Sequence, residues 1–558
     1  MSKQSDVNRY VLLRKLVSSI DELSAYSIVR VFIYSVAFVF FVVFVLLPPL
    51  IGVLLKIGLV EETLSDPSLV LRARSAVLAS IVIAFTVAIF DLLAGIPTAW
   101  LIVRRKSGWT SIIDTLADIP IVVPTVALGF SILVFWSQPG GISWIFGVDS
   151  LVSPGLGLIL LLHFAFSYPI VVRLMVGELQ GYDQVYETAS RTLGASSLTA
   201  ARTVTLPILK PAIVSAFLLA FCRSLSETGA TVVVAGTFEN GPVMISNARA
   251  QGQEGPMVLV STVLIITSCT ISALVSLLGP HLRFPIKKVW PRAERKLSGS
   301  KATLTRDALL LLVFSLFVAL PSLYVALPAT SALLDGTVLS AFLGRGMWRP
   351  FWSSLAMSYI VGSITALVNM LSGFPLAVIV ARRKLGHRLT AILEALISVP
   401  ITIPSIALGV SLRLFWTSFG DLPEFWVLIL VHASITYTYF VKTVSAAIQS
   451  VPTELEEVAR TLGSRPFGVF RKVIVPLTKY SIFSGAVMVL TRSVDETGAT
   501  IAVAKEIRTA PVLLVEWIRN PEVYSQSTVG LGILLLVLTA FVLLLIIRLF
   551  LRRAHLHA

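Results

Sequence analysis

The sequence predicts an all-α polytopic membrane protein with about twelve transmembrane helices. They form two parallel six-helix repeats related by a pseudo-twofold axis along the membrane normal. Of the 558 residues, 56% are apolar and only 13% are charged, and the mean hydropathy is +0.88. In addition, several segments of the first half recur in the second half in the same order. An even number of helices per repeat gives both copies one orientation in the bilayer.

Twelve apolar runs are long enough to cross a bilayer, which takes roughly 17–25 helical residues. The first run is too long for the apolar region of a signal peptide, so no cleaved leader is expected. The predicted spans are 31–55, 75–103, 112–136, 155–176, 211–237, 257–279, 307–329, 352–381, 391–416, 425–446, 480–504 and 527–551.

Basic residues indicate the orientation of these spans, because Lys and Arg accumulate in cytoplasmic loops. With the N-terminus inside, 32 of the 45 Lys and Arg fall in cytoplasmic segments and 9 in external loops. Both termini are therefore predicted to be cytoplasmic, in a cell (plasma or inner) membrane. The formal net charge of +15 follows from this topology, and no nucleic-acid partner is predicted.

The duplication is visible in matched segments, which predict a first six-helix repeat with an N-terminal cytoplasmic segment over 1–290 and a second repeat over 291–558. A polar, basic linker, "RFPIKKVWPRAERKLSGSK", joins them. The matched pairs are "RSLSETGAT" (223–231) with "RSVDETGAT" (492–500), "PIVVPTVALGFSILVFW" (120–136) with "PITIPSIALGVSLRLFW" (400–416), and "GIPTAWLIVRRK" (95–106) with "GFPLAVIVARRK" (373–384).

Each half has one substantial cytoplasmic segment, between its fourth and fifth spans. The segments read "YETASRTLGASSLTAARTVTLP" (186–207) and "LEEVARTLGSRPFGVFRKVIVP" (455–476). Both predict a short helix, a turn at the glycine, a second helical stretch and a stop at the final proline. The first helix is amphipathic and suits contact with a partner, although an ordinary polar connector is the alternative.

These loops resemble the EAA signature of type I ABC importer permeases, the methionine-importer-like membrane subunits. The signature reads Glu-Ala-Ala, three residues, Gly, nine residues, Ile, one residue, Leu-Pro. Thr188 stands where the signature has glutamate, with Glu187 beside it. The loop residues that the resemblance singles out are Glu187, Thr188, Ala189, Gly194, Leu206 and Pro207, and Glu457, Val458, Ala459, Gly463, Val475 and Pro476.

The resemblance implies that the loops are coupling helices of a fused double permease. It implies two cytosolic ABC ATPase subunits, an extracytoplasmic solute-binding protein and a small-molecule or ion substrate as partners, within the lipid bilayer. ATP and Mg would be used by the partner subunits. This chain is expected to bind no cofactor or metal and to be no enzyme, since its sequence has no G-x-x-x-x-G-K-[ST] phosphate loop.

The repeated charged segments lie in or near the fifth and eleventh spans. A charge at the bilayer centre costs about 2.5–3.5 kcal/mol on insertion scales, so such residues face the bundle interior. In each half the arginine and glutamate are four residues apart, which predicts a pair on one helix face. Two interpretations stay open: a gate or solute contact, or a buried ion pair that fixes packing. The candidate pathway residues are Arg223, Glu227, Gly229, Arg492, Asp495, Glu496, Gly498, Pro124 and Pro404.

Glycine, proline, aspartate and histidine residues in or near these segments also bear on the predicted pathway. The glycines allow close backbone approach or a break in the helix, and the prolines mark kinks. Asp495 stands opposite Ser226, a break in the symmetry where an asymmetric substrate contact would lie. His163 and His432 match across the halves and are predicted to be packing residues rather than metal ligands.

The patterns R-x-x-x-E-x-G-A and P-x-x-x-P-x-x-A-L-G are similar to the permease subgroup that includes molybdate, tungstate and sulfate importers. They are more distantly similar to ferric-iron and thiamine importers. The "ETGAT" wording favours the oxyanion branch, whereas fused double permeases are typical of the iron and thiamine branch, so both substrate classes stay open. A secondary transporter of twelve helices in two parallel repeats is the alternative function.

Overall fold

The computed structural model describes residues 18–105, 107–278 and 289–556, and the regular structure in these ranges is helical throughout. Residues 1–17 of the predicted N-terminal segment, residue 279 at the end of the sixth predicted span and residues 283–288 of the predicted linker lie outside the described residues. The first half comprises α1 (Ser27–Leu55), α2 (Pro67–Arg104), α3 (Gly108–Leu116), α4 (Ile119–Val122), α5 (Thr125–Ser137), α6 (Leu156–Gly181), α7 (Val185–Thr192), α8 (Ser197–Ile208), α9 (Lys210–Ser226), α10 (Gly229–Val234), α11 (Gly241–Ala250) and α12 (Glu254–Leu278).

The second half repeats this order after a short helix formed by the end of the linker. It comprises α13 (Pro291–Leu297), α14 (Ser300–Leu333), α15 (Thr337–Phe342), α16 (Trp348–Ala381), α17 (His387–Thr402), α18 (Ser405–Ser418), α19 (Glu424–Gln449), α20 (Thr453–Thr461), α21 (Pro466–Asp495), α22 (Gly498–Val503), α23 (Ala510–Arg519) and α24 (Gln526–Leu556).

Within the described ranges, ten helices are long and apolar enough to span a membrane, or up to twelve if each of two bent helix pairs counts as one span. The bent pairs are α8 with α9, at 75°, and α17 with α18, at 103°. The prediction of an all-α polytopic membrane protein is therefore confirmed. Several predicted spans are broken helices rather than continuous ones.

Proline explains the breaks in the third and ninth predicted spans. Val123 and Ile403 have extended backbone, with ψ of 129° and 135°, because a following proline disfavours the helical region. Helices α5 and α18 begin directly after Pro124 and Pro404. The two prolines thus mark full breaks, where kinks were expected.

The fifth and eleventh predicted spans break at the repeated charged segment. Helix α9 ends at Ser226 and α21 ends at Asp495. The next residues, Glu227 and Glu496, are extended, with ψ of 124° and 117°. Each glutamate therefore lies just beyond the helix that carries its arginine, and the predicted i, i+4 pair forms only between Arg492 and Glu496, 3.1 Å apart.

The stop predicted at Pro476 is also wrong, whereas in the first half the helix ends at Ile208, one residue after Pro207. Each proline lies in the first turn of an α-helical stretch, where its missing N–H needs no partner. A π-helical turn precedes each stretch, at Ala201–Thr205 and at Phe470–Ile474. In the second half the chain therefore continues from the cytoplasmic loop into the membrane without leaving helical structure. In the first half it breaks at Leu209 and bends by 75°.

The first helix of each half packs on the other half. The Ser411 hydroxyl donates to the Pro48 carbonyl of α1 at 2.9 Å and accepts from the Val53 amide at 3.1 Å. At the equivalent place, the Ser131 hydroxyl of the first half donates to the Pro321 carbonyl of α14. The two sequence repeats thus exchange their first helices.

Candidate functional site

The two cytoplasmic loops expose apolar side chains at the ends of short helices. Leu193 follows α7 and is 90% exposed, and the equivalent Leu462 follows α20 and is 81% exposed. Val185 and Val458 are also exposed on these helices. Apolar side chains grouped in this way are typical of a protein interaction surface.

One ion pair anchors each loop to a long membrane helix. Glu187 of α7 lies 2.7 Å from Arg104 at the end of α2, and Glu456 of α20 lies 2.6 Å from Arg382 just after α16. All four side chains are mostly buried. Thus the ionic contact is identical in the two halves, and it uses the residue before the EAA position.

Sequence reasoning did not single out Arg104, Arg382 or Glu456. The available signal was the "RRK" that ends the matched segments 95–106 and 373–384, together with a glutamate at the same place in each loop. In contrast, Thr188 and Glu457, which occupy the EAA glutamate position, are exposed.

Gly194 and Gly463 turn the chain between the two helical stretches of each loop. Their φ angles are +94° and +83°, in the region that favours glycine. Ala189, Pro207 and Pro476 are exposed, whereas Leu206, Ala459 and Val475 are half-buried. The residues named by the EAA pattern therefore form the accessible surface and the turn of each loop.

The predicted pathway residues meet where the two halves contact each other. A Cβ at Gly229 would lie 2.6 Å from the Thr497 Cβ, and a Cβ at Gly498 would lie 2.7 Å from the Thr228 Cβ. These two contacts are reciprocal, since the glycine and threonine positions are equivalent in the repeats. The absence of side chains at both glycines is what allows the close approach.

The two arginines at this contact are not equivalent. Arg492 forms ion pairs with Asp495 at 3.2 Å and with Glu496 at 3.1 Å. Arg223 instead stacks on the Phe166 ring, 3.7 Å from its centroid, and has no carboxylate within ion-pair distance among the described residues. The predicted Arg223–Glu227 ion pair is therefore wrong.

The glutamates begin the short helices that follow the breaks. Glu227 accepts a hydrogen bond from the Ala230 amide at 3.0 Å, and Glu496 accepts one from the Ala499 amide at 3.1 Å. Both amides belong to first turns that have no intrahelical acceptor. Each carboxylate is also favoured there by the helix dipole.

Two buried histidines bridge the same breaks. His163 contacts the Ser224 hydroxyl at 2.7 Å and the Thr231 hydroxyl at 2.9 Å, one on each side of the break. His432 makes the same contacts with Ser493 and Thr500. Among residues 18–105, 107–278 and 289–556, no group of three or more His, Cys, Asp or Glu is placed to hold a metal ion.

The Asp495 side chain contacts the first half of the chain. Its carboxylate accepts a hydrogen bond from the Thr125 amide, at the start of α5, at 2.7 Å. Pro124 and Pro404 bring the starts of α5 and α18 to this contact. A cavity of about 10 Å³ remains between the halves, which is roughly the room of one water molecule. The two halves are therefore closely packed at this level.

The family described as "Binding-protein-dependent transport system inner membrane component" matches the chain twice, over residues 91–284 and 373–555. Together the two matches cover well over half of the chain. The chain belongs to this family. It is the permease subunit of an ABC importer, and it carries two permease units, so the alternative of a secondary transporter has no support.

Individual relatives in this family align with about a third of the chain. The sulfate transport system permease protein CysT of Salmonella typhimurium is 31% identical over 203 residues, 35% of this chain and 72% of the relative. The molybdate/tungstate transport system permease protein WtpB of Pyrococcus abyssi is 29% identical over 191 residues, 34% of this chain and 76% of the relative. The molybdenum transport system permease protein ModB of Escherichia coli is 36% identical over 162 residues, 28% of this chain and 69% of the relative.

Proposed function

We propose that this permease imports oxyanions of the sulfate, molybdate and tungstate class, driven by two ATPase subunits that dock on its cytoplasmic loops. An extracytoplasmic solute-binding protein delivers the anion. In this proposal ATP and Mg are bound by the ATPase subunits, since the sequence of this chain has no G-x-x-x-x-G-K-[ST] phosphate loop. Both termini are cytoplasmic in this proposal.

The observation that carries the proposal is the pair of anchored loops. Each loop presents exposed apolar side chains, Leu193 in one half and Leu462 in the other. Each is also tied by a buried arginine–glutamate pair to α2 or α16, which cross the membrane. Closure of the ATPase subunits on ATP would therefore move both long helices together and open the contact at Gly229 and Gly498.

The substrate class rests on the relatives, whose names give sulfate, molybdate or tungstate. It is also supported by Arg223, a membrane cation without an ion-pair partner among the described residues. An unpaired guanidinium beside the pathway favours an anionic solute over a cationic one. Ferric iron and thiamine remain the competing substrates.

The test is ATP hydrolysis by the complete transporter in proteoliposomes. The chain is reconstituted with its candidate ATPase and binding protein, and hydrolysis is measured with and without sulfate, molybdate, tungstate, ferric iron or thiamine. The double variant Gly194→Arg and Gly463→Arg should lower stimulated hydrolysis about tenfold or more, because arginine is strained at a positive φ. Gly108→Arg is the matched control, since Gly108 lies beside open space and has an ordinary φ.

Each outcome has one meaning. Stimulation by the oxyanions, lost in the double variant while the ATPase alone stays active, supports the proposal. Stimulation by ferric iron or thiamine instead would show that the substrate class is wrong. If the ATPase never binds and an ion gradient drives solute transport by the chain alone, the proposal that the loops dock the ATPase is wrong.

A further inference from the structure

The contact between the halves is asymmetric at Asp495. One carboxylate oxygen accepts from the Thr125 amide at 2.7 Å, and the other lies 3.2 Å from an Arg492 nitrogen. At the reciprocal place, the Ser405 hydroxyl donates to the Ser226 backbone carbonyl at 3.4 Å. Only the start of α5 therefore holds, on its backbone amide, a carboxylate from the other half.

The position of this carboxylate has the chemistry of an anion site. Thr125 is the first residue of α5, a helix of 13 residues, whose free amides and dipole attract negative charge. Arg492 supplies a full positive charge on the other side of the carboxylate. A backbone amide and a guanidinium are also the groups that bind sulfate-like oxyanions.

An independent observation points to a ligand at the same place. The Thr228 hydroxyl is buried, with 1% of the residue exposed, and has no hydrogen-bond partner among the described residues. Thr228 lines the cavity that Asp495 and Arg492 also line. The Arg492 Nε is likewise buried without a partner in the described part of the chain. Buried polar atoms of this kind require an explanation, such as a group that binds there in another state.

The charge balance explains why the anion is excluded in the closed state. Two guanidinium groups and three carboxylates interact electrostatically at this contact, those of Arg223 and Arg492 with those of Glu227, Asp495 and Glu496. Glu227 and Glu496 are held by amides of their own halves. Asp495 alone bridges the halves, so it is the carboxylate that must move when they separate. When the Asp495 carboxylate moves away, two guanidinium groups and two carboxylates, those of Glu227 and Glu496, remain at the contact.

We propose that the Asp495 carboxylate is a built-in occupant of an oxyanion site on the Thr125 amide and the Arg492 guanidinium. With the halves together, it closes the pathway and repels anions. When α5 and α21 separate, the transported oxyanion takes its place, with the Thr228 hydroxyl as a further donor. This inference rests on the proposed import of oxyanions.

The test is anion leak without ATP. Proteoliposomes that contain the full chain alone are loaded with radiolabelled sulfate or molybdate, and efflux is followed. Asp495→Ser, which copies the residue at Ser226, should raise sulfate efflux about tenfold over wild type because one repelling charge is lost. Asp495→Asn keeps an acceptor for the Thr125 amide and should raise efflux less, by about threefold. Addition of Arg492→Gln to Asp495→Ser should return efflux towards the wild-type rate.

Two controls make the result specific to the site. Asp421→Ser removes an exposed carboxylate far from this contact in the sequence and should leave efflux at the wild-type rate. Efflux of the neutral solute erythritol should stay unchanged in all variants. Gel filtration and thermal unfolding establish that each variant is folded.

Wild-type efflux from folded Asp495→Ser would overturn the inference, and so would an equal rise in erythritol efflux, which indicates a nonselective opening. The proposed function is tested separately, by ATP-driven sulfate or molybdate uptake of the wild-type chain with its partners. Failure of that uptake leaves the leak comparison intact, so the two failures are distinguishable.

Discussion

His163 and His432 connect helices that the backbone leaves separate. Each ring joins a serine before the break to a threonine after it, at nearly identical distances in the two halves. All the groups involved are buried. The histidines therefore hold the broken spans in one geometry, which explains why both halves carry them.

We predict that His163→Leu destabilises the chain by about 1–3 kcal/mol, because two buried hydroxyl groups lose a partner. The measurement is thermal unfolding of the purified protein in detergent. The triple variant with Ser224→Ala and Thr231→Val should recover most of the loss, since removal of both partners is nearly neutral. Equal unfolding temperatures for the wild type and the single variant would contradict this role.

The arginine–glutamate pairs give a second prediction for single residues. Glu187→Gln or Glu456→Gln should lower ATP-driven uptake about tenfold, because a mostly buried arginine loses its partner and the loop loses its anchor. ATPase binding should persist, since the exposed apolar side chains are unchanged. The control is Glu457→Gln, which removes an exposed carboxylate at the neighbouring position. If uptake falls more for Glu457→Gln than for Glu456→Gln, the assignment of the anchoring contact to Glu456 is wrong.

Among the helical elements, α13 supports the first cytoplasmic loop. Its Glu294 is buried and accepts hydrogen bonds from the Thr199 hydroxyl and from Arg202 of α8, and the Arg202 guanidinium lies over the Trp290 ring. The Thr199 hydrogen bond is the main cause of the lowered pKa of Glu294, and Arg202 adds to it. The end of the predicted linker is therefore a structural support.

The second loop has a weaker support at the equivalent place. There the Phe467 amide donates to the Ser24 hydroxyl at 3.1 Å, and Glu22 lies 3.7 Å from Arg465. Both side chains of this ion pair are exposed, at 64% and 47%. Exposed ion pairs contribute about 0–1 kcal/mol, so the two loops differ in how firmly they are held.

We predict that Glu294→Gln lowers the unfolding free energy by about 1–3 kcal/mol, because the half-buried Arg202 and Thr199 lose a charged acceptor. Glu22→Gln is the matched control and should have almost no effect. Thermal unfolding gives the comparison, and limited proteolysis at 193–196 reports on the first loop directly. A larger effect of Glu22→Gln than of Glu294→Gln would show that the second loop, and not the first, is the more firmly held.

The helix breaks could be predicted from the sequence only in part. Pro124 and Pro404 were expected at kinks, because proline restricts the residue before it, and the structure has breaks at these places. A break beside Gly229 was one of two possibilities, and the sequence could not decide between them, since an arginine and a glutamate four residues apart fit a continuous helix equally well. It depends on contacts made after folding, with the Ala230 amide and the buried His163.

At the scale of the whole molecule, the exchange of first helices could not be predicted from the sequence, because it too depends on tertiary contacts. Repeats that match in order and spacing predict two equal units, but Ser131 and Ser411 do not specify which copy of the first helix they contact. The predicted boundary at 290/291 divides the sequence repeats. In space, α1 packs on the second half and α14 on the first.

This exchange predicts that the two halves assemble tightly even when they are separate chains. If the chain is divided within 279–288 and the halves are coexpressed, a tag on the first half should recover the second. Gly52→Leu should reduce this recovery, because any Cβ at Gly52 meets the Ser411 backbone carbonyl, and overpacking costs about 1–3 kcal/mol. Gly58→Leu, six residues later in open space, is the control. Equal recovery with both variants would show that the α1 contact does not hold the halves together.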